Sequence, residues 1–125
     1  MIQKPLFTRS RIILLSSVLL LSVWAQEDAD ARLSALSKDA EVVKKGSKLF
    51  MTTCVLCHTP LIPPGAPQNL KDPQWLHGSK PTEIQNTITK GVPEKGMPTF
   101  GPSLQPEQIE SLVAYILSIQ PAPTP

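Results

Sequence analysis

The sequence predicts an all-α domain of three to five short helices. Apolar residues recur at helical spacing over residues 39–52 and again over 106–120, with shorter stretches between them. No alternating run marks a strand, and no segment repeats. Fourteen prolines impose irregular backbone and disfavour sheet. The chain of 125 residues has the length of one domain. Aromatic residues make up only 5% of it. A domain this small is marginally able to bury enough apolar surface alone, so a bound apolar body would help it fold.

Residues 1–25 read as a secretory signal. Lys4, Arg9 and Arg11 form a basic head, residues 12–24 an apolar run broken only by serines, and Val23-Trp24-Ala25 a small-residue cleavage end. As helix the run would measure roughly 20 Å, against a hydrocarbon core of about 30 Å, so no stable membrane span is expected. An uncleaved anchor is the alternative. Cleavage after Ala25 removes three of the 12 basic residues and none of the 10 acidic ones, turning the formal +2 into −1. That balance gives no strong pull toward nucleic acid or an anionic surface.

Residues 26–37 are polar and Ala-rich and read as a loose linker. The domain is expected over 38–120. Its first helix, over 39–52, has Ser37 or Asp39 as cap. Its stripe is Val42, Val43, Gly46, Leu49 and Phe50, with Lys44, Lys45 and Lys48 opposite. Gly46 costs a helix about 1 kcal/mol relative to Ala, which asks for a close-packed neighbour. Residues 59–70 are loop, set by four prolines and Gly65. Asp72-Pro73 looks like a cap followed by Pro at the first helical position, starting a short helix through Trp75 and Leu76 that Gly78 ends. A second short helix is expected over 81–90, with Ile84 and Ile88 on one face and Gly91 just past its end. Residues 91–102 form a Gly/Pro-framed loop centred on Met97. The last helix begins near Pro106 and stops at Pro121, with Ile109, Leu112, Val113, Ile116 and Leu117 as its stripe. Residues 121–125 are a stiff Pro-rich tail.

Cys54-Val55-Leu56-Cys57-His58 carries the chemistry. C-x-x-C-H is the attachment signature of c-type haem. Thiols three apart share one helical face and can bond both vinyl groups of one porphyrin, while His58 turns its ring to the iron. A thioredoxin-like pair would need a βαβ context. Zinc would need further ligands, and only His77 remains as a second histidine, with no third Cys. A loop carbonyl within 59–70 is expected to hold the other ring nitrogen of His58. Met97 is the expected second axial ligand: a soft thioether, 39 residues after His58, and His/Met ligation raises the haem potential. Met97 as a core gap-filler and His77 as a bis-His ligand are the rivals.

With these residues in place, the chain resembles a class I, single-haem cytochrome c over 38–120. The likeness rests on Gly46 and Phe50 before Cys54-x-x-Cys57-His58, on Gly96-Met97-Pro98, and on Leu112 and Tyr115 in the last helix. It implies N- and C-terminal helices crossing near right angles around one covalent haem c, with Gly46, Phe50 and Tyr115 at the crossing. It also implies a donor at the haem propionates. Trp75 is the candidate, with plain core packing as its alternative. The stretch from Asn69-Leu70 to Trp75-Leu76-His77-Gly78 is similar to short bacterial members. These include cytochrome subunits of haem–copper oxidases and acceptors for quinoprotein alcohol dehydrogenases.

The expected function is therefore single-electron transfer in the bacterial periplasm, with no catalytic residue. A monomer would meet donor and acceptor redox proteins transiently at the haem edge near residues 54–58. Lys48, Lys90 and Lys95 are candidates to steer an acidic partner there, or are simply solvated lysines. The alternative is a haem peroxidase or gas sensor in which Met97 is displaced.

Overall fold

The computed structural model describes residues 25–66 and 68–121. The expected signal, apart from Ala25, and most of the Pro-rich tail lie outside the described residues. Helix α1 covers residues 25–36. It is followed by α2 (Ala40–Thr53), α3 (Pro81–Lys90), a 3-10 turn (Pro93–Lys95) and α4 (Pro106–Ser118). The described residues contain no strand, only an isolated bridge between Val92 and Met97. The fold is all-α, as the periodicity predicts.

Helix ends follow local chemistry. The Asp39 side chain accepts from the N–H groups of Glu41 at 2.9 Å and Val42 at 3.2 Å, satisfying two unpaired donors at the start of α2. Pro81 and Pro106 open α3 and α4 where a missing N–H costs nothing. Glu83 and Gln108 each reach back, at 2.9 Å, to the N–H of the residue preceding their helix. Gly91, at φ +66°, ends α3.

Helix α4 is the centre of the core. Ile109, Leu112, Val113, Ala114 and Ile116 are all buried on it. Ile109, Leu112, Val113 and Ile116 pack with Phe50 of α2, Ile84 and Ile88 of α3, and Leu33 of α1. A Cβ added at Gly46 would lie 1.8 Å from the Ser111 carbonyl oxygen, so α2 and α4 touch backbone to backbone there. The rings of Phe50 and Tyr115 meet beside this contact at 5.1 Å. This is the close neighbour that a glycine in the α2 stripe required.

Two expectations are corrected. Residues 26–37 are not a loose linker. Residues 25–36 are helical, and Leu33 is completely buried in the core. Polar contacts fix the same helix. The Asp30 carboxyl accepts from the Thr82 N–H at 2.8 Å, capping α3 from outside. Arg32 pairs with Glu110 through two hydrogen bonds of 3.0 and 2.7 Å. The short helix expected after Asp72-Pro73 does not form; residues 70–77 are bends and irregular backbone. Asp72 uses one carboxyl oxygen on the Gly65 N–H, and Leu76 is 71% exposed, so no apolar face pulls this stretch into a helix.

Candidate functional site

Helices α2, α3 and α4 leave an apolar cleft between them and the two long loops. Phe50, Ile84, Ile88, Phe100, Leu112 and Ile116 form its walls, with Trp75 half-buried at one side. Cys54, His58, His77 and Met97 also face it. A second hollow adjoins it, sharing Cys54, His58, His77, Met97 and Phe100 and adding Cys57 and Lys95. The sequence-predicted residues, scattered over 44 positions from Cys54 to Met97, thus meet in one space.

The C-x-x-C-H segment follows directly from α2. The Cys54 N–H continues the helix onto Phe50 O at 2.8 Å, and the Cys57 and His58 N–H groups both turn back onto Cys54 O, at 3.1 and 2.9 Å. Both thiols are free. Burial pushes the Cys54 thiol up, and the neighbouring Cys57 adds to the rise. A reactive thiol–disulfide pair instead needs a lowered thiol. Among the described residues no group of three or more His, Cys, Asp and Glu converges as a metal site.

His58 is fixed by its ring nitrogen. Nδ1 lies 2.8 Å from the Gln68 carbonyl oxygen. A carbonyl only accepts, so Nδ1 carries the proton, and in the neutral ring the lone pair lies on Nε2, the tautomer of a metal-ligating imidazole. The Phe50 ring stands beside it, centroids 6.5 Å apart. The expected loop carbonyl is therefore that of Gln68.

Met97 is mounted by backbone. Val92 and Met97 exchange both of their N–H···O bonds, at 2.9 and 3.2 Å, across the 3-10 turn. Gly96 turns the chain at φ +86°. The Phe100 and Gly101 N–H groups then tie the loop to Ile88 O and Thr89 O at the end of α3. A Cβ at Gly91 would lie 2.4 Å from Pro98 O, so only glycine lets the loop close there.

These residues fit a covalently held haem. The cleft is apolar, Cys54, His58 and Met97 line it, and Cys57 lines the adjoining hollow. Cys54, Cys57, His58 and Met97 would hold the group, with Trp75 and Phe100 against it. The sequence did not single out Phe100, Leu112 or Ile116 as cleft wall. Their stripe or loop position was the available signal.

Residues 41–116 match the family described as cytochrome c oxidase, cbb3-type, subunit III. The chain is 37% identical over 91 residues to the cbb3-type cytochrome c oxidase subunit FixP of Sinorhizobium medicae, covering 66% of this chain and 32% of the relative. It is 35% identical over 91 residues to the CcoP subunit of Rubrivivax gelatinosus, covering 71% and 30%. To the CcoP subunit of Rhodobacter capsulatus it is 32% identical over 111 residues, covering 73% and 36%. It spans about a third of the length of these relatives. No solved structure matches the chain. With the family match running through α2, the C-x-x-C-H segment, the Met97 loop and most of α4, the chain belongs to the cbb3-type cytochrome c oxidase subunit III family, a cytochrome c domain that implies haem c.

Proposed function

We propose that this chain is an exported electron-transfer domain carrying one haem c, and that it passes single electrons between redox partners in a respiratory complex. The observation that carries the reading is the convergence of Cys54, His58 and Met97 on one apolar cleft, with His58 held in a ligating tautomer. When bound, haem supplies reversible one-electron chemistry at its iron. Cys54 and Cys57 would attach it, and His58 Nε2 and the Met97 thioether would be its iron ligands. Trp75 packs at its edge. The chain contains two cysteines, which supports one attachment site. With His58 and Met97 both available to the iron, the residues would serve transfer rather than catalysis.

Partners would dock where the attachment segment reaches the surface. Leu56 and Leu61 are 88% and 90% exposed there, while Lys95 lines the adjoining hollow. Small apolar contacts of this kind suit transient redox encounters. The similar relatives are named as subunits of a cbb3-type oxidase, which supports a subunit of such a complex as one partner. A periplasmic place is supported by the signal-like residues 1–25. No helix among the described residues is long and apolar enough to cross a membrane.

The test is expression in a host with haem-attachment machinery, followed by denaturation. The wild-type chain should keep its colour, at one haem per polypeptide. Cys54→Ala combined with Cys57→Ala should lose it entirely. Colour that washes out of the denatured wild type would overturn the reading.

A further inference from the structure

Gln68, whose carbonyl fixes His58, is exposed and lies in a turn outside any helix. A carbonyl on an unbraced loop would not hold an imidazole in one direction, so the brace must come from nearby. Asp72 is one of only two polar residues buried among those described, at 8% exposure. The other, Ser111, donates back to Gln108 O within its own helix. Burying a carboxyl is costly unless it is hydrogen-bonded. Asp72 Oδ2 accepts from the Gly65 N–H at 2.7 Å and Oδ1 from the Gln74 N–H at 3.3 Å. Gly65 precedes Gln68 by three positions and Gln74 follows it by six, so one side chain closes the Gln68 segment at both ends. Gly65 holds φ +83° with open space around its α-carbon, so its conformation, not packing, demands glycine. Asn69 completes the brace. It donates to Ile62 O at 3.2 Å and accepts from the Lys71 N–H at 2.9 Å.

We propose that Asp72 is a positioning residue for His58: by holding Gly65 and Gln74 it sets the Gln68 carbonyl, and so the orientation and donor strength of the imidazole. This rests on the reading of His58 as the iron ligand. A carbonyl on Nδ1–H makes the ring a stronger donor to a metal, and such outer partners tune the metal they never touch. Loosening the loop should weaken that donation and raise the reduction potential. Removing the Asp72 charge would also raise it, so a neutral variant of the same brace separates the two causes.

The experiment uses covalently loaded holoprotein of the wild type, Asp72→Ala, Asp72→Asn and Asn69→Ala. Two quantities are read: the midpoint potential, and the solvent exchange of the His58 Nδ1 proton by NMR in the reduced state. The proposal expects a raised potential in Asp72→Ala and Asn69→Ala, and Nδ1 proton exchange faster by on the order of tenfold, the change for losing one hydrogen bond. Asp72→Asn, which keeps one acceptor oxygen, should fall between wild type and Asp72→Ala. If Asp72→Ala does not accumulate, the other two variants decide. Lower stability at wild-type potential and exchange would overturn the proposal, as would a potential shift confined to the charge-removing variants with unchanged exchange. A colourless wild type would instead bring down the haem reading itself.

Discussion

The two loops that deliver His58 and Met97 to the cleft are built in opposite ways. The Met97 loop is short and closes on its own backbone: Val92 and Met97 pair with each other, Gly91 and Gly96 make the turns, and Phe100 and Gly101 bond to the end of α3. The His58 loop is longer, and side chains hold it: Asp72 bonds Gly65 and Gln74, Asn69 bonds Ile62 O, and Gln120 beyond α4 donates to Leu70 O. One loop depends on what glycine permits. The other depends mainly on individual carboxyl and amide groups, with a left-handed Gly65 among the residues they hold. Mutations should therefore act on the two axial sides through different residue types, and a change in the core should act on neither.

The largest effect on stability is expected away from both loops. Leu33→Ala empties a fully buried site on α1, and such truncations cost about 2–5 kcal/mol. Denaturant unfolding should show that loss, while the reduction potential stays at its wild-type value. A shifted potential would mean that α1 also shapes the cleft. Gly91→Ala comes next. It forces a side chain into a left-handed φ of +66° and against the Pro98 carbonyl, at a cost of about 1–3 kcal/mol. The oxidised protein should lose part of its sulfur–iron absorption and the reduced protein should bind carbon monoxide more readily, with the Nδ1–H bond of His58 intact. Unchanged absorption would show that the Met97 loop does not need its backbone closure.

The smallest effect belongs to the pair that ties α1 to α4. The hydrogen bond from Arg32 holds the Glu110 carboxyl below its ordinary range, with the Arg32 charge adding to this and partial burial opposing it. A depressed carboxylate contributes stability above its unfolded value, about 4.3, and loses it as pH falls through the folded value. Glu110→Gln should therefore destabilise by about 0–1 kcal/mol at pH 7, as exposed pairs do. The difference from wild type should vanish once pH falls well below the carboxylate range. A difference that persists in acid would assign the effect to packing rather than charge.

The contrast between the loops also explains what was legible in the chain. Gly91, Gly96 and the flanking prolines announce a shaped loop in the sequence itself, and Met97 stands out in its centre. Asp39, Pro81, Gly91 and Pro106 mark helix ends within a residue or two because capping is local chemistry. Asp72-Pro73 carries the same local signal, and Asp72 Oδ1 does accept from the Gln74 N–H, yet its other oxygen is tied to Gly65 and no helix follows. Residues 26–37 look like linker because their composition is polar. Their order comes from Asp30 on Thr82 and Arg32 on Glu110, partners 52 and 78 positions away, and from a single buried leucine. Which carbonyl meets His58 was unreadable for the same reason: ten positions separate the two groups.

The most direct test of the account is a redox titration of the holoprotein followed by visible spectroscopy, in wild type and Met97→Ala. The account predicts a covalent haem with a sulfur-to-iron charge-transfer band in the oxidised wild type. In the variant that band should disappear and the potential fall, with the haem still attached. An identical spectrum and potential in the two proteins would contradict it.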